Sequence, residues 1–92
     1  MNFEYDIFKK KKANIKKLLD YGFKKNNGYT YKEKIIDNLE AVITYKDEKV
    51  EGNIIDLDFN EEYINYRLEN VTGTYVTKVR EKYLEILKCG FN

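Results

Sequence analysis

The side chains of this chain with chemistry to offer are carboxylates, lysines and tyrosines, because histidine, tryptophan and proline do not occur and cysteine occurs once. The most orderly carboxylate spacing is Asp56-Leu57-Asp58-Phe59-Asn60, which begins like a calcium loop whose alternating oxygens converge on a hard cation. Such a loop needs glycine at its sixth position and a bidentate glutamate at its twelfth, and this chain has Glu61 and Arg67 there. The segment is therefore expected to be an acidic turn between strands. Asp47, Glu48, Glu51, Glu62 and Glu69 crowd the same region against Lys49 and Arg67. Paired carboxylates can run glycoside hydrolysis or hold Mg²⁺, but a domain of 92 residues has little room for a deep pocket. Solvated turns and charged strand faces are the expected reading. No catalytic residue, metal ligand or cofactor is expected, and the chain is read as non-enzymatic.

Lysines supply the second pattern. Residues 1 to 25 carry a balance of +5 and residues 26 to 92 one of −4, so a formal net charge of +1 conceals a basic N-terminal quarter. Lys9, Lys10, Lys16, Lys17, Lys24 and Lys25 are the candidate nucleic-acid-binding residues, able to track a phosphate backbone while Tyr29 and Tyr31 stack on bases. Lysine outnumbers arginine fifteen to two, which favours weak, salt-dependent backbone contact over base-edge recognition. The competing reading is a solvated helix face. Lysine, asparagine, isoleucine and tyrosine are plentiful throughout, as the codon bias of an AT-rich bacterial genome would produce. The nine tyrosines are expected as half-buried packing; a row of Tyr63, Tyr45 and neighbours on an uncovered sheet face would instead form a partner or dimer surface. Cys89 is expected to be a small apolar helix residue.

The elements that must position these residues follow from periodicity. Phe8, Ile15, Leu18 and Leu19 share one side of an N-terminal helix, with Lys9, Lys10, Lys16 and Lys17 opposite. Lys11 and Lys12 fall on its apolar side, so either their stems snorkel or the helix breaks near Asn14, which then caps a second short helix through Tyr21. Asn27-Gly28 predicts a tight hairpin, and Asp37-Asn38 a turn. Leu39 to Tyr45 and Val50 to Leu57 flank Lys46-Asp47-Glu48-Lys49 as a further hairpin. Tyr63 to Leu68 alternates like a last strand. From Gly73 onward Val76, Val79, Tyr83, Ile86 and Leu87 line one face of a C-terminal helix that Gly90 ends. The expected architecture is α+β: one domain over residues 1–92, a four- or five-stranded antiparallel meander with both helical segments on one face, in two layers.

Asp6-Ile7-Phe8 with Lys17-Leu18-Leu19 and Tyr21-Gly22-Phe23, then Ile55-Asp56-Leu57 with Asn60-Glu61-Glu62-Tyr63, then Asn70, Gly73 and Val79 to Leu87 resemble the short bacterial proteins grouped as MmcQ/YjbR-like. The resemblance covers nearly the whole chain. It implies a compact α+β fold of the kind likened to secretion chaperones, and it carries the label DNA-binding. Better-known members also have a Pro-Gly-Tyr element and an Asn-Lys-x-His-Trp-Asn element; this chain has neither, so no catalytic residue is carried over. The reading at this level is a cytoplasmic domain without a membrane segment that binds nucleic acid weakly through a basic N-terminal helix. The alternative is a protein-interaction or homodimerisation module.

Overall fold

Buried apolar positions in the computed structural model, which describes residues 3–92, recur every second residue in the middle of the chain and at helical spacing at its ends. Helices α1 (Phe3–Phe8) and α2 (Ile15–Tyr21) precede strands β1 (Lys24–Lys25), β2 (Tyr29–Ile36), β3 (Leu39–Lys46), β4 (Lys49–Asp56) and β5 (Glu61–Glu62), and helix α3 (Thr74–Gly90) ends the chain. One turn of 3-10 helix, Asn65–Arg67, connects β5 to α3. Every strand pairs with its sequence neighbour in the order β1-β2-β3-β4-β5, an antiparallel meander. The α+β class and the C-terminal helix are as expected from periodicity.

Cross-strand register decides which residues share a face. Ala41 of β3 stands opposite Glu33 and Ile54, and Ile43 opposite Tyr31 and Gly52. That face receives Leu18 of α2 and Val76, Val79, Tyr83 and Ile86 of α3, all essentially without solvent exposure. Full burial of an aliphatic or aromatic side chain is worth roughly 1.5–3 kcal/mol, so these side chains dominate cohesion. The other face is polar and uncovered, with Thr30 beside Thr44 at 3.4 Å and Lys32 paired to Glu40 at 3.8 Å. Two layers result.

The N-terminal helix breaks. Lys10 adopts a left-handed φ of 61° just beyond α1, and Asn14 caps α2 by accepting a hydrogen bond from the Lys17 amide at 3.1 Å. The linker between them is anchored on the far end of the chain: Ala13 bridges Phe91, and the Asn14 amide donates to the Gly90 carbonyl at 2.8 Å. Gly22, with φ of 129°, closes α2 in a backbone conformation that a side chain would oppose.

Two expectations are corrected, a strand from Tyr63 to Leu68 and Leu19 on the apolar face of α2. Tyr63 to Leu68 is not a strand. The Arg67 amide bonds the Ile64 carbonyl and the Leu68 amide that of Asn65, so Tyr66 is buried while Ile64 and Leu68 stand 47% and 50% exposed. Tyr45 and Tyr63 are half-buried, as expected of packing tyrosines, and form no exposed row among the described residues: Tyr45 packs edge-on against Phe91 under the helical layer and Tyr63 stacks with Tyr66. Leu19 points outward, not into the core, and Cys89 is an exposed residue of α3. The long outer edge of β2 is blunted by a bulge between Lys34 and Ile36 and by exposed Lys32 and Lys34, which opposes pairing with a second strand.

Candidate functional site

One buried polar cluster is built from residues far apart in the sequence. Glu4 of α1 is 1% exposed and accepts hydrogen bonds from the hydroxyls of Tyr66 and of Tyr83, the latter at 2.9 Å. Arg67 reaches it with two nitrogens, Nε to Oε1 at 3.0 Å and Nη2 to Oε2 at 3.1 Å, and also donates to the Gly52 carbonyl. A buried carboxylate is tolerated only when its lone pairs are satisfied and its charge paired, and Glu4 meets both conditions. Burial and the neighbouring carboxylate push the Tyr66 hydroxyl well above the ordinary tyrosine range, and burial with the Tyr66 contact does the same to Tyr83. The Glu4 hydrogen bond raises Arg67 further, against burial. Gly52 is required by this arrangement, since a Cβ there would meet the Tyr83 hydroxyl at 1.7 Å. The cluster is closed and fully bonded, and its product is the attachment of α1 to the sheet and to α3.

A second cluster sits between α2, β2 and α3. Lys82 donates to Glu33 at 3.0 Å and lies over the rings of Tyr21 and Tyr31, 5.7 and 5.9 Å from their centroids. The hydroxyls of Tyr21 and Tyr31 donate to Glu85 and Glu33 respectively. Burial alone would lift Glu33, but hydrogen bonds from Tyr31 and Lys82 outweigh it and hold the carboxyl below its usual range. Every donor here has an acceptor. Arg80 is likewise committed, bonding the carbonyls of Tyr66 and Leu68 at 2.9 and 2.7 Å. Both arginines therefore hold the 3-10 turn in place and are not presented for recognition.

What the fold gathers on its surface is lysine. The β1–β2 turn and the β3–β4 turn lie at the same end of the meander, where a Cβ at Gly28 would lie 3.0 Å from Lys46 Cβ. The linker after α1 crosses this end. A groove of about 480 Å³ opens between them, floored by Tyr5, Phe8 and Val50 and rimmed by Lys9, Lys10 and Lys49, with Glu48 and Glu51 on its hairpin side. A neighbouring depression runs from Lys10 through Lys12 past Ala13 to Tyr45. Lys9, Lys10, Lys24 and Lys25 thus join Lys11, Lys12, Lys46 and Lys49, all exposed, at one end of the sheet.

Sequence periodicity assigned Lys9, Lys10, Lys16 and Lys17 to one helix face, and that is corrected. Lys9 and Lys10 belong to the turn that ends α1, Lys16 and Lys17 to the first turn of α2, and Lys24 and Lys25 to β1. Lys16 and Lys17 are exposed but line neither depression. Lys46 and Lys49 were missed, because their contribution depends on which end of a hairpin faces the linker; the turn signal Lys46-Asp47-Glu48-Lys49 was the clue. Among the described residues no group of three or more acidic, cysteine or histidine side chains is placed to hold a metal ion. None of the described helices is long and apolar enough to cross a membrane. Comparison with family models, curated proteins and solved structures gave no match, so the MmcQ/YjbR-like resemblance rests on the residues quoted for it.

Proposed function

We propose that this protein is a non-enzymatic nucleic-acid-binding domain that grips the phosphate backbone with the lysine-rich end of its sheet. The observation that carries the reading is the convergence of lysines from two separate segments, the post-α1 linker and the β3–β4 hairpin, around grooves that also hold tyrosine rings, with the exposed β1 lysines Lys24 and Lys25 at the same end of the sheet but outside the grooves. Lysine ammonium groups release counterions from phosphates without regard to sequence. With both arginines engaged internally, base-edge recognition has no guanidinium to use. The expected behaviour is weak, sequence-tolerant, strongly salt-dependent binding.

Fluorescence anisotropy of labelled single- and double-stranded oligonucleotides over a salt series tests this. Contact with about five phosphates gives a log–log slope of roughly −4.5 on duplex DNA, and reversing two lysines reduces it by about 2 units. The paired variant Lys9→Glu, Lys12→Glu should show that reduction, whereas Lys16→Glu, Lys17→Glu should change it little. Salt-independent binding, or equal binding by the Lys9 and Lys12 variant, would overturn the reading.

A further inference from the structure

The opposite end of the sheet has the complementary character. The turn between β4 and β5 exposes Phe59 to 73% and Leu57 to 39%, and carboxylates surround it: Asp56, Asp58 and Glu61 on the turn, Asp37 on the adjoining β2–β3 turn. Tyr75, 41% exposed, donates to Asp37 at 2.5 Å and so belongs to the same tip. This tip is held in shape. The Leu57 amide donates to the Asn38 carbonyl at 2.9 Å, the Asn38 side chain to Asp58 at 2.5 Å, and the Asp58 amide to Asp56 at 3.0 Å. An aromatic side chain on a turn already ordered loses little freedom on docking, which is the condition for an efficient anchor.

We propose that the Phe59 tip of one copy docks into the lysine-rimmed groove of a second copy, tip to groove. The groove supplies an apolar floor of Tyr5, Phe8 and Val50 for the ring. Its rim supplies Lys9, Lys10 and Lys49 for Asp58, Asp56 and Glu61. Lys11 and Lys12 extend the positive surface beyond Glu48, so the two groove carboxylates are outnumbered. A buried phenylalanine removes roughly 150–200 Å² from water, and the opposed charges orient the approach. Tip and groove lie at opposite ends of eight-residue strands, so the contact is heterologous and copies add in series unless the rotation closes a ring. The inference stands apart from nucleic-acid binding, since it needs protein alone.

A mixing experiment decides it. In sedimentation velocity on nucleic-acid-free protein at low salt, with reductant to keep the exposed Cys89 from cross-linking, wild-type mass should rise with concentration above 11.1 kDa. A tip variant, Asp58→Lys with Phe59→Ser, and a groove variant, Lys9→Glu with Lys10→Glu, should each remain monomeric. Mixed in equal amounts they retain one working contact and should form a 1:1 complex. Phe59→Ser alone should weaken wild-type association roughly tenfold. A wild type that stays monomeric at millimolar concentration, or a mixture that does, would overturn the proposal. Should either variant fold poorly, amide chemical-shift changes across a wild-type dilution series serve instead: shifts at Phe59 and Tyr75 together with Val50 support it, and shifts confined to any other surface refute it.

Discussion

Glu4 carries more structural consequence than any other single residue, because it is an ionisable group placed where no water reaches it. Glu4→Ala leaves Arg67 with only the longer carboxylate contact to Glu62 at 3.6 Å and the Tyr66 and Tyr83 hydroxyls with only each other as acceptor at 3.3 Å, a loss of about 3–5 kcal/mol measurable by urea denaturation. Gly52→Ala should cost about 1–3 kcal/mol or more, as forced overpacking does. Combining it with Tyr83→Phe should recover part of that loss, because the nearest clashing atom is the hydroxyl and the ring carbon beneath it, at 2.7 Å, remains too close. Tyrosine titration supplies a third check. Tyr66 and Tyr83 are raised in the folded state, so their contribution to stability is complete below the unfolded tyrosine pKa of about 10 and is lost as pH climbs above it. Absorbance at 295 nm should therefore show Tyr66 and Tyr83 ionising only as the fold opens, well above the ordinary tyrosine range. An alkaline titration in one phase near pH 10 with the fold intact would contradict the arrangement.

At the scale of elements, the two devices that shape the lysine-rich end are a cap and a turn. Asn14 converts a lysine-dense stretch into a break followed by α2, and Asn14→Ala should cost about 1 kcal/mol, as loss of an N-cap usually does. The β3–β4 turn holds both central residues at positive φ, Asp47 at 52° and Glu48 at 63°, the backbone of a tight hairpin that favours glycine. Glu48→Gly should relieve left-handed strain and stabilise by about 0.5–1 kcal/mol in thermal unfolding. It also removes a carboxylate from between Lys10 and Lys49, so the same variant should bind oligonucleotide more tightly at low salt.

At the scale of the molecule, exposed lysines gather at one end of the meander and carboxylates around the exposed Phe59 at the other. On the two proposals made above, nucleic acid and the acidic tip of a second copy compete for one groove. Linkage makes their effects reciprocal. Adding a short oligonucleotide should lower the weight-average mass of concentrated protein toward one copy per oligonucleotide, and raising protein concentration should weaken apparent oligonucleotide affinity. Sedimentation with a labelled oligonucleotide reads both effects, and independence of the two would show that they use different surfaces.

Local and periodic features were legible in the residues themselves. Alternation from Leu39 to Asp56 specified a hairpin with one apolar face, Asn27-Gly28 a turn, Val76 to Ile86 a helix, and Asn14 a cap. Each depends on neighbours within a few positions, where side-chain spacing and backbone preference act directly. Long-range closure decided the rest. Tyr66 left a strand-like alternation for a 3-10 turn because that turn delivers its hydroxyl and Arg67 to Glu4, 62 and 63 residues earlier in the chain. The lysine-rich end likewise took form only when the linker was tied to Phe91, a pairing that no local pattern encodes because its energy comes from burial and hydrogen bonds between segments at opposite ends of the chain.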